Sequence, residues 1–235
     1  MAKSTGVLFD IDGTLLDSNY LHVLAFWQAF RDNGHEIAMW TLHRHIGMGS
    51  EELVLQLLGQ PDDDVVKAHS ERYEALRDQA TAFPEAGELL SRCADLGLTV
   101  VLATSGAKKD LAWMLPLIGA PAGVIAGVTT SADVEAAKPH PDVLQVAIRD
   151  HDLDPDRTVM VGDSDRTVMV GDSDRTVMVG DSVWDVEAAK TAGLPCVAVR
   201  SGGVGADELS GAVALYDDPA ALLDALDASP IARLR

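Results

Sequence analysis

The run Val7-Leu8-Phe9-Asp10-Ile11-Asp12-Gly13-Thr14-Leu15 constrains the fold more than any other stretch. A short continuous apolar run reads as a strand buried on both faces, the kind found in parallel sheets. Side chains alternate along a strand, so Asp10 and Asp12 leave its end on one side. Two carboxylates that close raise each other's proton affinity, and a divalent cation or a positive neighbour relieves the conflict. An ordinary Asp-Gly turn has no use for two aspartates in strand phase.

The pattern downstream changes twice. From Tyr20 to Phe30 apolar residues recur at helical spacing, and Asn33-Gly34 ends that helix. A second amphipathic piece spans Ile37 to Ile46, then Gly47-Met48-Gly49-Ser50 breaks it, with Ser50 as the expected N-cap of a helix to Leu58. Pro61-Asp62-Asp63-Asp64 opens a further helix to about Arg77. Residues 18–83 thus read as all-helical, without a strand. After Phe83-Pro84 strands alternate with helices. The strands are expected at Thr99–Ala103, Val124–Ala126, from Val159 onward, Cys196–Val199 and Ala212–Tyr216. Such alternation implies right-handed βαβ units and a parallel sheet. The predicted fold class is α/β: a doubly wound Rossmann-like parallel sheet from residues 1–17 and 84–235, with an all-helical cap, 18–83, inserted. Ligands of such sheets bind beyond the carboxyl ends of the strands, where Asp10 and Asp12 fall.

Composition narrows the partners. A net charge of −19 with only 18 Lys and Arg among 235 residues disfavours nucleic acid and anionic membranes. An acidic chain that handles phosphate must supply local positive charge from a metal, a lysine or helix N-termini. Cys93 and Cys196 lie in apolar segments and read as buried free thiols. No signal-peptide pattern opens the sequence and no run is long enough to span a bilayer, so a cytoplasmic location is expected.

The string Asp10-Ile11-Asp12-Gly13-Thr14-Leu15 resembles the first motif of the haloacid-dehalogenase-like phosphatases, in the phosphoglycolate phosphatase and beta-phosphoglucomutase branch with a helical cap. Further segments resemble that family's other motifs in the same order. Thr104, in Ala103-Thr104-Ser105-Gly106, matches the second, where a hydroxyl and neighbouring backbone N–H groups hold phosphoryl oxygens; Ser105 and Gly106 share that turn. Lys138, in Lys138-Pro139-His140-Pro141, matches the third, a charge that offsets the carboxylates and the phosphate. His43-Arg44-His45 before Gly47 resembles the cap loop facing the site, and Arg44 is the candidate to pair with an anionic substrate.

The fourth motif is written three times. Asp-Arg-Thr-Val-Met-Val-Gly-Asp-Ser occurs without a change at 156–164, 165–173 and 174–182. Solenoid repeats are longer, so this is no solenoid signature. The family places a second aspartate four residues after the first. After Asp181 that residue is Asp185, whereas after Asp163 and Asp172 it is Thr167 and Thr176. Asp181 and Asp185 are therefore favoured as metal residues over Asp163 or Asp172, with the spare copies lying before the strand. Those copies are apolar enough to form a loop or a dimer contact, which leaves monomer and homodimer both open.

The resemblance implies a magnesium-dependent phosphatase acting on a small phosphorylated metabolite. Asp10 is the implied nucleophile, forming an aspartyl-phosphate, and Asp12 the general acid and base. Asp10, the backbone carbonyl of Asp12, and Asp181 are the implied magnesium ligands, with Asp185 a ligand or its neighbour. Dehalogenases of the family lack an acid at the position of Asp12. Phosphonate hydrolysis calls for a cap lysine at the site, and the cap's Lys67 falls inside a helix. A sugar-phosphate mutase shares all four motifs and remains an alternative, as does an impaired, self-associating protein produced by the triplication.

Overall fold

The computed structural model describes residues 4–134, 137–154 and 176–234. Strand β1 (Gly6–Phe9), the apolar run that ends at Asp10, is buried at every residue. The chain then forms β2 (Leu16–Asp17) and the helices α1 (Asn19–Asp32), α2 (Met39–His43), α3 (Ser50–Leu58) and α4 (Asp63–Leu76) before β3 (Thr81–Ala82). There follow α5 (Ala86–Asp95), β4 (Thr99–Ala103), α6 (Leu111–Ile118), β5 (Ile125–Thr129), α7 (Asp142–Asp150), β6 (Val177–Gly180), α8 (Val183–Ala192), β7 (Cys196–Val199), β8 (Ala214–Tyr216) and α9 (Pro219–Asp224).

Six strands form one sheet in the order β5-β4-β1-β6-β7-β8, each neighbouring pair parallel. Alternation along the strands builds two cores. Val7, Phe9, Val100, Leu102, Val177 and Val179 pack against α5, α6 and α9 on one face. Leu8, Val101, Ala103, Met178 and Ala198 pack against α7 and α8 on the other. With both faces covered, the strands need apolar side chains in both directions, which is why they read as continuous runs. Each fully buried Leu, Val or Phe contributes about 1.5–3 kcal/mol. Sheet and helices make a doubly wound α/β core carrying a helical cap.

The cap has its own core of Val23, Phe26, Phe30, Leu42, Leu53 and Val65. Its helix α4 starts at Asp62, whose carboxylate accepts from the Val65 N–H at 3.1 Å, a cap worth about 1 kcal/mol. Two features of residues 18–83 differ from the sequence expectation. Ser50 is the first residue of α3, and Gly49 takes the N-cap position. The Gly49 N–H donates to the Lys138 carbonyl at 3.4 Å, and a Cβ there would stand 2.5 Å from the Ala137 Cβ, so the close approach requires glycine. The segment also contains a strand: β3 pairs antiparallel with β2, Leu16 opposite Ala82 and Asp17 opposite Thr81. This short ribbon joins the two crossings between core and cap.

The third repeat copy supplies β6, which lies between β1 and β7. Its turn continues into α8 through a capping box. Ser182 Oγ accepts from the Asp185 N–H at 3.2 Å, and Asp185 Oδ2 accepts from the Ser182 N–H at 3.1 Å. The equivalent residues of the first two copies are threonines, Thr167 and Thr176, which cannot return that bond as a carboxylate does. The expectations for Asp163, Asp172 and the spare copies lie outside the described residues. No helix among the described residues is long and apolar enough to cross a membrane.

Candidate active site

Strands β4, β1 and β6 are neighbours, so the turns after their carboxyl ends converge. Asp10 follows β1, with its N–H bonded to the Val179 carbonyl at 2.9 Å. Thr104 follows β4 and Asp181 follows β6, and both are buried. Lys138 enters from the loop before α7 with no exposed surface. Its Nζ lies 2.8 Å from Asp10 Oδ1 and 2.7 Å from Asp185 Oδ1.

Asp10, Asp181 and Asp185 each offer a carboxylate oxygen, all within 4.8 Å of one another. One ammonium cannot neutralise three carboxylates. Burial and the charges of Asp185 and Asp12 push the Asp10 carboxyl up to about 7, despite the nearby Lys138. Burial and the charges of Asp185 and Asp10 raise Asp181 well above the usual carboxylate range. Lys138 is held above its usual range by Asp10 and Asp185, which together outweigh burial.

The surroundings of Asp181 are shaped around its carboxylate. Thr14 Oγ1 donates to Oδ1 at 2.8 Å and Asn19 Nδ2 to Oδ2 at 2.9 Å. A Cβ on Gly202 would stand 1.8 Å from Asp181 Oδ2. Gly13, at φ 75°, leaves room for the same group. The buried Asn19 Oδ1 has no hydrogen-bond partner among the described residues. A surplus of buried carboxylate charge, an orphaned amide oxygen and an all-oxygen donor set fit a small hard cation such as magnesium.

The Asp12 carboxylate stands apart, turned toward the cap. Its Oδ1 accepts from Ser18 Oγ at 2.6 Å and Tyr73 OH at 3.3 Å, and lies 3.3 Å from His22 Nε2. Burial opposes its ionisation, but His22 and the Ser18 and Tyr73 hydroxyls together lower its pKa. His22 stacks on Tyr73 at a centroid distance of 3.8 Å, and its Nδ1 is 3.2 Å from His69 Nε2. Across from Asp12, the Gly106 N–H donates to Thr104 Oγ1 at 2.9 Å, and a Cβ on Gly106 would lie 3.5 Å from Asp12 Oδ2. Ser105 Oγ donates to the Gly47 carbonyl of the cap loop at 3.2 Å, so this turn also ties core to cap. A cavity of about 510 Å³ opens over Asp10, Asp12 and Thr104-Ser105-Gly106 and runs up under the cap.

The sequence matches the family described as haloacid dehalogenase-like hydrolase over residues 5–171, and a HAD-like hydrolase description over residues 135–228. The chain belongs to the haloacid dehalogenase-like hydrolases. It is 28% identical to Protein CbbY of Cereibacter sphaeroides over 92% of this chain and 93% of that one. A hydrolase from Pseudomonas syringae superposes with a TM-score of 0.81 at 31% identity, covering 95% of this chain and 98% of that one. CbbY of Rhodobacter sphaeroides, solved as a mutant with xylulose-1,5-bisphosphate, shares the fold at a TM-score of 0.73 and 24% identity, covering 93% and 96%.

In this HAD-like hydrolase the geometry gathers Asp10, Lys138, Asp181 and Asp185 at one point, with Asp12, Thr104, Ser105 and Gly106 lining the adjoining cavity. The side chain of Asp12 is outside the carboxylate cluster, so as a metal residue it has only its carbonyl to offer. Arg44 is placed elsewhere. Its guanidinium is exposed, pairs with Glu208 at 3.3 Å and does not line the cavity, because α2 ends with that side chain turned to the β7–β8 connection. Sequence reasoning missed Thr14, Ser18, Asn19, His22, His69, Tyr73 and Ser182. Signals were present for four of them: polar Ser18-Asn19 opening an apolar helix, and His22 and His69 inside otherwise amphipathic helical stretches.

Proposed function

We propose that the chain is a magnesium-dependent phosphatase that hydrolyses a small phosphomonoester through an aspartyl-phosphate on Asp10. The observation that carries this reading is a buried Asp10 carboxylate held by Lys138 beside Asp181 and Asp185, directly beneath a cavity that also receives Asp12. Residues 18–83 act as the cap of a core formed by 1–17 and 84–235.

Magnesium would be held by Asp10, the carbonyl of Asp12 and Asp181, with Asp185 as a further ligand or as their neighbour, and when bound it supplies neutralising charge at the phosphoryl oxygens. Thr104 and the Ser105-Gly106 backbone receive the remaining phosphoryl oxygens, and Lys138 offsets the charge between Asp10 and Asp185. An Asp10 oxygen attacks phosphorus as the bond to the leaving alcohol breaks. Asp12 rests as a carboxylate; the approaching phosphate dianion raises its proton affinity, so it takes up a proton and delivers it to the leaving oxygen. Deprotonated again, Asp12 accepts a proton from the water that attacks the aspartyl-phosphate, releasing phosphate and restoring Asp10. Ser18, Tyr73 and His22 hold the Asp12 carboxylate in place for both transfers.

Hydrolysis of p-nitrophenyl phosphate tests this. Turnover is expected to require magnesium, to stop on chelation and to vanish in Asp10→Asn. Full activity in Asp10→Asn removes the nucleophile assignment, and activity indifferent to chelation removes the metal.

A further inference from the structure

Beyond the phosphoryl site, the cavity shows what kind of alcohol it is built to release. Its far wall is made of cap residues. The rings of Phe26 and His69 lie face to face at 3.6 Å, and Tyr73 stands beside them, giving an aromatic surface with one phenol. Its mouth carries Glu51 and Glu52, the first-turn acids of α3. The partial positive charge of a helix N-terminus is a natural anion site. Here the carboxylates of the helix itself already answer that charge.

Among the described residues no Lys or Arg lines the cavity. Lys108 and Lys109, which follow the lining residue Ala107, are held elsewhere: Lys108 lies 4.0 Å from Asp133, and Lys109 donates to Ser70 Oγ at 2.8 Å and lies 3.9 Å from Glu74. Arg44 is tied to Glu208 on the outer surface. Lys138 is enclosed between Asp10 and Asp185 with no exposed surface to offer a second anion. A second phosphate or a carboxylate on the substrate would thus face the like charges of Glu51 and Glu52 with no Lys or Arg of the cavity lining to offset them.

We infer that Glu51, Glu52 and the aromatic cap wall select phosphomonoesters of small uncharged alcohols and reject those whose leaving group is itself an anion. This rests on the phosphatase reading above and sharpens it. It also separates the chain from a phosphomutase, which must seat two phosphates at once. The leaving group that fits is polyhydroxylic or aromatic, small enough for about 510 Å³ shared with the phosphoryl group.

The test compares kcat/KM for glycerol phosphate and p-nitrophenyl phosphate with that for phosphoglycolate, a sugar bisphosphate and pyrophosphate, in magnesium. The expected preference for the uncharged leaving groups is about tenfold or more, the scale of two like charges acting through a solvent-connected cavity. Glu51→Gln with Glu52→Gln is expected to shrink that preference several-fold, mainly through KM for the anionic esters. The same ranking is expected for binding of the esters to Asp10→Asn by calorimetry, a readout that needs no turnover. The inference is overturned if the anionic esters are preferred, if the double Gln variant leaves the ranking unmoved, or if Lys109→Ala abolishes an affinity for the anionic esters. No turnover of any ester by well-folded wild type, together with no binding to Asp10→Asn, instead removes the phosphatase reading and the inference with it.

Discussion

Replacing Asp10 with asparagine should stabilise the metal-free protein at neutral pH while destroying its chemistry. The reason lies in the burial of that carboxyl, to which the charges of Asp185 and Asp12 add and which Lys138 only partly offsets. Its pKa rises from 3.8 in the unfolded chain to about 7 in the fold. Between those values the native state binds a proton that the unfolded state has released, so stability falls as pH rises and the loss is complete above about 7. A tenfold difference in proton affinity between the two states is worth ~1.36 kcal/mol, so the accumulated penalty is about 4 kcal/mol at pH 8 and less than half of that at pH 5. Asparagine has the shape of the protonated acid and never ionises. Urea denaturation of wild type and Asp10→Asn in chelator, from pH 5 to pH 8, should therefore give curves that diverge with rising pH, the variant becoming the more stable. Saturating magnesium should close most of that gap, since a cation beside Asp10 removes the penalty from the wild type alone. Parallel curves across this range, or a variant less stable than wild type at pH 8 without metal, would refute the charge-surplus argument for the site.

Other substitutions separate the parts of the site. Gly202→Ala places a methyl group where Asp181 Oδ2 now sits, and should lower apparent magnesium affinity, read by titrating activity with the ion; an unchanged titration would show that Asp181 can move without consequence. Arg44→Ala removes an exposed pair worth about 0–1 kcal/mol and should leave kcat/KM essentially unaltered, whereas a large loss would return Arg44 to the substrate. Removing two of the three repeat copies, 18 residues in all, retains one Asp-Ser turn ahead of Asp185. It should preserve magnesium-dependent turnover, and loss of that turnover would show that the additional copies support the site. Light-scattering mass before and after that deletion reports whether the spare copies join molecules, and an unchanged monomer would exclude it.

The strands were legible because a parallel sheet covered on both faces needs unbroken apolar runs. Those runs end where Asp10, Thr104 and Asp181 begin. The start of α4 was legible too, because Pro61-Asp62-Asp63-Asp64 is written within four residues, whereas the Ser182–Asp185 capping box of α8 was missed. Strand β3 was not, since two residues carry no period and its partner Leu16-Asp17 lies far away in sequence. The Ser50 expectation failed for a related reason: the loop position was decided by contact with Ala137 and Lys138, not by capping preference. Arg44 had the chemistry for an anion, yet Glu208, 164 residues away, holds it. The side chains around Asp181 and Asp12 belong to this class as well: Thr14 and Asn19 reach across more than 160 residues, and Tyr73 across 61.

Asp185 gives its two oxygens to two different tasks. Oδ2 closes the first turn of α8 through Ser182, and Oδ1 holds the Lys138 ammonium that also touches Asp10. Opening of that turn, even briefly, releases one counter-charge of the lysine and alters the potential felt by the nucleophile. Amide exchange at the start of α8 thus becomes a gauge of how firmly the reactive carboxylate is poised. Sequence drift at position 185 meets a double barrier, because no uncharged residue keeps both the helix origin and the lysine's anchor.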